Sequence, residues 1–269
     1  MAIFIRGDTH GKMDRLFIQQ LESLAEEDVL LIVGDFGFIW FDFLSDSQAF
    51  YPNSFLLKNI NEQEEDLDRI SSLTKGNVMF IDGNHENFNK LNSYPVTRKF
   101  GGKMHKIRPN IFHMMRGEIF TIEDKKFFSM GGALSHDIGG GILDVNEPTF
   151  HNRLRVLQQN YIPFRIKNIS WWEEEIPSKK EINRAITNLS LADWKVDYIL
   201  THMGLEAFER YMFSDSGKDA ATKEQKHFYT FLDFLFSKCS FKKWYLGHYH
   251  NEMVYGQLEI LYDNMKEIR

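Results

Sequence analysis

The sequence has almost no cysteine: Cys239 stands alone among 269 residues. A single cysteine excludes an intramolecular disulfide framework, an all-thiolate zinc site and a cysteine-ligated iron–sulfur cluster. A basic surplus is also missing, because 32 Lys and Arg residues stand against 38 Asp and Glu residues, which gives a formal net charge of −6. A chain whose main task is gripping a nucleic-acid backbone usually carries a basic surplus, so a long nucleic acid is disfavoured as a partner.

Long apolar stretches are missing too. No segment approaches the roughly 20 apolar residues of a membrane span, and the apolar start of the chain, interrupted by Arg6 and Asp8, is too short for a signal peptide. We therefore expect a cytoplasmic protein that does not bind membranes. Pro/Ser-rich linkers and internal repeats are also absent from the sequence, which predicts one domain over residues 1–269 and leaves the oligomeric state open.

Short apolar runs recur instead, and they end in polar residues beside glycine. Rich in Val, Ile, Leu, Phe and Tyr, they predict buried strands over residues 2–6, 29–33, 78–81, 198–200 and 244–246. Amphipathic stretches between them predict helices over residues 13–26, 61–73, 179–191 and 223–236. Ser178 and Glu181 form a capping box at the start of the third helix. This alternation of strands and helices predicts α/β layers.

The middle and the end of the chain have closer-spaced strands. Residues 111–115, 118–123 and 126–130 predict an antiparallel meander, and residues 253–262 predict a hairpin that turns near Gly256. A mixture of crossovers and hairpins favours two mixed sheets packed face to face, with helices outside. Residues 41–59 and 138–170 form insertions, and we expect the second, which lacks clear periodicity, to cap the functional site.

Polar side chains cluster where the predicted strands end, at the edge of an α/β sheet where ligands bind. Carboxylate and amide oxygens together with imidazoles make a mixed ligand set that suits Mn, Fe, Zn or Ni better than an all-oxygen Ca or Mg cage. The absence of thiolates is typical of a catalytic site rather than a closed structural zinc. The residues concerned are Asp8, His10, Asp35, Asn84, His85, His202, His248 and His250.

The motifs that contain these residues, and their order along the chain, resemble those of the calcineurin-like metallophosphoesterases. That pattern reads D-x-H, G-D, G-N-H-[ED], an isolated His and G-H-x-H. It occurs here as Asp8-Thr9-His10, Gly34-Asp35, Gly83-Asn84-His85-Glu86, His202 and Gly247-His248-Tyr249-His250. Gly131-Gly132-Ala133 and residues 170–175 are further similar to a bacterial and phage-type phosphoesterase branch. The resemblance covers roughly residues 1–260 and implies a four-layer α/β/β/α sandwich.

The resemblance also implies a role for each residue. Asp8, His10 and His250 would hold one metal ion. Asn84, His202 and His248 would hold a second ion, and Asp35 would bridge the two. His85 would protonate the leaving oxygen or stabilise charge on it. Two divalent transition-metal ions are implied, with Mn²⁺ favoured and Fe, Zn, Ni or Mg as alternatives.

The implied reaction is in-line attack by a metal-bridging hydroxide on phosphorus. We expect a small phosphomonoester or a nucleotide-type phosphodiester as substrate. The alternatives are a Ser/Thr protein phosphatase-like enzyme, a DNA nuclease, and a non-catalytic scaffold that keeps the fold. Ser/Thr protein phosphatases continue the second motif as G-D-x-x-D-R-G and carry Arg before G-N-H-E. Phe38, Ile39 and Asp82 stand at those positions here, which disfavours an enzyme of that type.

Other residues are expected around the phosphate. The candidates for substrate contacts are His136, Asp137, Arg116 and Trp40. The candidates for the carboxylate that orients His85 are Asp82, Glu86 and Asp137. The acidic run at residues 173–175 is predicted to be a solvated face.

Overall fold

The computed structural model describes residues 1–40, 60–212 and 223–269, so the predicted insertion at residues 41–59 lies outside the described part. In chain order, the strands are β1 (Ile3–Arg6), β2 (Val29–Val33), β3 (Asn77–Ile81), β4 (Val96–Lys99), β5 (Gly102–Arg108), β6 (Ile111–Met114), β7 (Ile119–Ile122), β8 (Lys125–Met130), β9 (Ile142–Leu143), β10 (Arg165–Ile166), β11 (Tyr198–Thr201), β12 (Lys243–Leu246), β13 (Met253–Tyr255), β14 (Leu258–Ile260) and β15 (Lys266–Glu267).

The described ranges contain seven α-helices, and the first, second, fifth and seventh confirm the four predicted helices within a few residues. The seven helices are α1 (Arg15–Ser23), α2 (Ile60–Leu73), α3 (Phe88–Ser93), α4 (Phe150–Gln159), α5 (Lys179–Leu191), α6 (Glu206–Met212) and α7 (Lys223–Lys238). The capping box at the start of α5 is present, with the side chains of Ser178 and Glu181 each accepting from the other's backbone N–H. In this described part, no helix is both long and apolar enough to cross a membrane.

Two mixed sheets form the centre of the fold. The first has the order β15-β1-β2-β3-β6-β5-β4, and the second has the order β13-β14-β12-β11-β8-β7. Four parallel neighbours lie at the middle of each sheet, namely β1-β2-β3-β6 and β14-β12-β11-β8. The carboxyl ends of each parallel set therefore meet at one edge of its sheet.

Alternation of side chains along the strands separates the layers. In β2, Leu31 and Val33 face the core between the sheets, whereas Leu30 and Ile32 pack under α1, α2 and α3. In the second sheet, Tyr245 joins the central core, while its neighbours along β12 pack under α5, α6 and α7. Helix, sheet, sheet and helix thus stack in four layers, as predicted.

The predicted meander is partly wrong. Strands β7 and β8 pair antiparallel, but β6 lies in the other sheet, between β3 and β5. The chain crosses from one sheet to the other at Gly117, whose φ of 77° is in the left-handed region. Strands β4 and β5, which were not predicted from the sequence, follow β6 and complete that edge of the first sheet. The predicted terminal hairpin is present as β13 and β14, with Gly256 at the turn.

The stretch at residues 138–170 is more regular than its sequence indicates. It contains α4 and the two-stranded parallel pair of β9 and β10. A small apolar cluster of its own joins Leu143, Phe150, Leu154 and Ile166. This packing gives the segment a fixed shape, and Arg165, at the start of β10, points from it to the strand ends described next.

Candidate metal centre

The eight strand-end residues come together from both sheets. Asp8 and His10 follow β1, Asp35 follows β2, and Asn84 and His85 follow β3. On the second sheet His202 follows β11, while His248 and His250 follow β12. Their ligand atoms form overlapping groups within 4.8 Å, which are Asp8–His10–His250, His10–Asp35–His85 and Asp35–His202–His248.

The first group is held around the carboxylate of Asp8. Asp8 Oδ2 lies 3.5 Å from His10 Nε2 and 3.3 Å from His250 Nε2. The two Nε2 atoms are 2.7 Å apart, so the rings are aimed at a common point. Asp8 also accepts the backbone N–H of His248 at 3.1 Å, which ties the end of β1 to the end of β12.

Asp35 lies between the groups and presents one oxygen to each side. Its Oδ2 is 3.8 Å from His10 Nδ1, and its Oδ1 is 3.2 Å from His202 Nε2. Oδ1 also accepts the backbone N–H of His85 at 2.9 Å, which fixes the carboxylate plane. A carboxylate in this place has the arrangement that a bridging ligand requires.

Two buried atoms favour a cation in this centre. Asn84 Oδ1 and His202 Nε2 have no hydrogen-bond partner among the described residues. His202 Nδ1 donates to the Val33 carbonyl at 2.8 Å, and this bond directs Nε2 at the centre, 3.2 Å from Asp35 Oδ1. Leaving an oxygen such as Asn84 Oδ1 unpaired in a protein interior costs about 1–3 kcal/mol. The donor set of oxygen and imidazole nitrogen therefore fits divalent transition-metal ions.

The backbone at the centre is strained. His10, Asp35, His248 and His250 have φ values of 49°, 46°, 71° and 48°, a region that costs non-glycine residues about 1 kcal/mol or more. Gly83 is required for close approach, because a Cβ there would collide with the Asp35 carboxylate. Such strain is retained where the surrounding fold imposes it, which is typical of functional sites.

In the metal-free centre, the carboxylates and the histidines shift each other's pKa values. Burial favours a low pKa for His202, but Asp35 and Asp8 outweigh it and raise the pKa to about 10. Burial favours a high pKa for Asp35, but His202 and His85 hold it well below its ordinary value. The carboxylates are thus ionised, and a bound cation would take the place of the His202 proton.

His85 lies at the rim of this centre with a different set of contacts. Its Nε2 is 3.9 Å from Asp35 Oδ2, and its ring stacks on Trp40 at 5.5 Å between centroids. Arg165 Nη2 approaches Nε2 to 3.3 Å. Burial lowers the pKa of His85 to about 4, with Arg165 and His10 acting in the same direction and Asp35 against it.

The three carboxylates expected to orient His85 have other partners. Asp82 bonds to His113 and Arg116, and Glu86 accepts the backbone N–H groups of Phe36 and Gly37. Asp137 alone is connected to His85, and only through Arg165, whose Nε donates to it at 2.9 and 3.1 Å.

Arg116, an expected substrate contact, lies in a buried ion pair, and its contact with substrate stays a prediction. Its guanidinium is buried and donates to Asp82 Oδ2 at 2.8 Å and to the Glu174 carbonyl at 2.7 Å. This ion pair holds the end of β3 against the segment after β6. The prediction of a solvated face at residues 173–175 is wrong for Glu175. This side chain is 2% exposed and accepts from the Ser135 hydroxyl at 2.7 Å.

His136 is placed beside the centre, where it was expected. Its Nε2 is 3.0 Å from His248 Nε2 and 3.5 Å from Glu209 Oε2. Glu209 is buried and accepts the hydroxyl of Tyr249 through Oε1, while Oε2 has no hydrogen-bond partner in the described ranges. His136, Glu209 and His248 form a further group of ligand atoms within 4.8 Å.

Arg165 and Glu209 are the neighbours of the centre that the sequence reading missed. Neither lies in a recognisable motif: Arg165 reaches the site from β10, and Glu209 reaches it from α6, the helix that follows β11. The one sequence feature that pointed to Arg165 was its position in residues 138–170, the insertion expected to cap the site.

Oxygen and imidazole nitrogen ligands gathered at the strand ends of two packed sheets are typical of a catalytic metal site. The family model of calcineurin-like phosphoesterases matches residues 1–252, and the chain belongs to that family. It is therefore a metal-dependent phosphoric ester hydrolase.

Solved structures with similarity to the chain include two proteins. One is phosphopantetheinyl hydrolase from Mycobacterium tuberculosis, with 13% identity over 97% of this chain and 88% of that chain and a TM-score of 0.42. The other is a candidate 5′-nucleotidase from Staphylococcus aureus in complex with α-ketoglutarate, with 12% identity over 97% of this chain and 48% of that chain and a TM-score of 0.42. The comparison with curated proteins finds no match.

Proposed function

We propose that the chain hydrolyses a small phosphomonoester or a nucleotide-type phosphodiester with two divalent metal ions. The observation that carries this proposal is the pair of buried ligand atoms Asn84 Oδ1 and His202 Nε2, directed at a centre that already contains ionised carboxylates. Two divalent ions bound there would activate a water molecule and neutralise charge on the phosphoryl group.

The ligands divide between the two ions on either side of Asp35. Asp8, His10 and His250 would hold one ion, because their ligand atoms form one group. His202 and His248 would hold the other together with Asn84. Asp35, with one oxygen toward each group, would bridge them. Mn²⁺ is the proposed metal, with Fe, Zn, Ni or Mg as alternatives for this ligand set.

His85 would act on the leaving group rather than on the metals. Its Nε2 lies on the open side of Asp35, and Trp40 behind the ring fixes its plane. From there it would donate a proton or a hydrogen bond to the leaving oxygen.

A protein phosphatase-type site is disfavoured by the packing around the second motif. Phe38 and Ile39 stand where that class has an Asp and an Arg, and both are buried in the apolar cluster under the first sheet. Those positions therefore supply no polar group to the centre. The net charge of −6 likewise disfavours a nuclease acting on long chains. A cytoplasmic location stays a prediction.

The experiment combines metal analysis with a substrate panel. Protein loaded with Mn²⁺ is assayed with p-nitrophenyl phosphate, its bis-ester and a set of nucleotides, and metal content is measured on the same sample. We expect hydrolysis and two ions per chain. Asp35→Asn should lose both, whereas Asp193→Asn, at an exposed turn beyond α5, should keep both. Two tightly bound ions in Asp35→Asn would refute the bridge, and an inactive, fully loaded parent protein would refute the activity.

A further inference from the structure

Arg165 is a buried arginine whose partners fix its guanidinium in place but engage only part of its N–H donors. It is 4% exposed, its Nε donates to both oxygens of Asp137, and its Nη1 donates to the Ser170 carbonyl at 2.9 Å. The guanidinium lies over the Trp40 ring at 5.7 Å from its centroid. A guanidinium has five N–H donors, and the contacts to Asp137, Ser170 and His85 engage one on each nitrogen. The other two donors, one on Nη1 and one on Nη2, have no hydrogen-bond partner among the described residues.

The position of the guanidinium relative to the metal centre is informative. Arg165 Nη2 lies 3.3 Å from His85 Nε2, which itself lies 3.9 Å from Asp35 Oδ2. Arg165 Nη2 thus donates to His85 at the rim of the candidate metal centre and brings a fixed positive charge there. An anion at this rim would accept from the guanidinium, and a planar fork is the geometry that phosphate oxygens match best.

We propose that Arg165 binds a non-bridging phosphoryl oxygen of the substrate and makes the site select phosphomonoesters over phosphodiesters. This inference rests on the proposed function and specifies its substrate class. Residues 138–170 then contribute to the reaction site directly, because Arg165 stands at the start of β10 within them.

The preference for phosphomonoesters follows from the charge of the phosphoryl group and from its number of non-bridging oxygens. A phosphomonoester carries about −1.5 to −2 charge near neutral pH and has three non-bridging oxygens. A diester carries a single charge, and its third oxygen bears a second organic group. Arg165 offers a fixed positive charge and a fork for the oxygen that only the monoester leaves open. Asp137 balances part of this charge, but it is itself largely exposed, so water screens its effect.

The test compares two variants that each remove one positive charge from the same segment. Arg165→Met removes the proposed contact, and Lys167→Met, at an exposed position two residues further on, is the control. For Mn²⁺-loaded proteins, kcat/KM is measured with p-nitrophenyl phosphate and with its bis-ester. Affinity for inorganic phosphate is measured by calorimetry, and metal content by elemental analysis.

We expect Arg165→Met to lower kcat/KM for the monoester by about 10²–10³-fold, as removal of one preorganised charge-stabilising donor does. The diester value should fall less than tenfold, and phosphate affinity should fall at least tenfold with two metals still bound. Arg165→Lys should lie between the parent and Arg165→Met, because the charge stays and the fork is lost. Lys167→Met should match the parent.

The outcomes separate this inference from the proposed function. Equal losses for monoester and diester, or a parent protein that prefers the diester, would refute the selectivity. Unchanged phosphate affinity in Arg165→Met would refute the contact, whatever the activity. A parent protein that hydrolyses neither ester but loses phosphate binding in Arg165→Met would overturn the proposed function and leave the phosphate contact standing.

Discussion

Single residues around the candidate centre fall into two chemical groups. Side chains at the strand ends converge on one another, whereas His85 is directed at the rim, between Asp35 and Arg165. The strand-end residues could be predicted because each follows an apolar run directly in the sequence. Arg165 and Glu209 could not, since only the packing of residues 138–170 and of α6 brings them to the site.

Replacement of His85 should separate chemistry from metal binding. His85→Asn removes the proposed donor to the leaving oxygen, so we expect kcat to fall by about 10²–10⁴-fold, the range for general acid–base groups. Metal content should stay at the parent value, because the ligand side chains are unchanged. The measurement is steady-state hydrolysis with elemental analysis, and His151→Asn, at an exposed position in α4, is the control. Loss of metal from His85→Asn would instead make His85 a ligand.

Glu175 should make the folded protein less stable as pH rises. Burial raises its pKa to about 8 from the ordinary 4.5, although the Ser135 hydroxyl and Arg165 act in the opposite direction. Between these values the folded protein keeps a proton that the unfolded chain has lost. The stability contributed by this proton is complete below about pH 4.5 and is lost as pH rises through 8.

Glu175→Gln mimics the protonated acid and should remove this loss. We expect parent and variant to unfold alike near pH 4.5, and the variant to be more stable at pH 8 by up to about 4 kcal/mol. Urea denaturation at both pH values, with Glu173→Gln as the exposed control, measures the difference. A constant difference across the pH range would show that the Glu175 carboxyl group does not titrate between the two states.

Among the structural elements, the ends of β3 and β6 are joined by a buried ion pair. Arg116 and Asp82 bond to each other, and His113 in β6 bonds to the second oxygen of Asp82. His113 contacts His105 in β5 in turn, with their Nδ1 atoms 2.9 Å apart. This network lies along three neighbouring strands, and Arg116 is engaged in it rather than in the ligand groups.

Arg116→Met should destabilise the fold by about 3–5 kcal/mol, because it leaves a buried carboxylate without its cation. The double variant Arg116→Met/Asp82→Asn should regain part of this free energy, since the uncompensated charge is gone. Urea denaturation of both proteins measures the effect, and Arg98→Met, an exposed arginine in β4, controls for loss of charge. A double variant no more stable than Arg116→Met would contradict this account.

Elements with a strong local signal could be predicted, and those defined by distant pairing could not. The helix after Ser178 has both its cap and its apolar stripe in the sequence, and the structure confirms them. The meander prediction failed at β6, because its apolar residues suit either sheet and only pairing with β3 decides. Helix α4 was missed because its apolar face packs on the small β9–β10 pair rather than on a main sheet.

At the scale of the whole molecule, the candidate centre joins the two sheets. Asp8, His10, Asp35 and Asn84 belong to the first sheet, while the ligands after β11 and β12 belong to the second. The four-layer architecture could be predicted from the order of motifs and the family they resemble. The segment 138–170 was expected to cap the site, but the contact of Arg165 with His85 could not be predicted, because only the packing of the segment brings them together.

Metal binding should therefore stabilise the whole fold. With free Mn²⁺ at about 100 times its dissociation constant, one site adds roughly 2.7 kcal/mol, which corresponds to an increase in Tm of roughly 5–10 °C for a chain of this size. Thermal unfolding with Mn²⁺ and with a chelator measures this shift. Asp35→Asn should show little or no shift, and equal Tm values for the parent under both conditions would contradict a cation site between the sheets.

The pairing of β1 with β15, together with ligands that extend from residue 8 to residue 250, also has a kinetic consequence. Contacts between segments so distant in sequence form late, because closing long loops costs entropy before the contacts compensate for it. The complete ligand set therefore assembles only after the two sheets have docked. A metal ion that binds at this stage slows unfolding and leaves the folding rate unchanged.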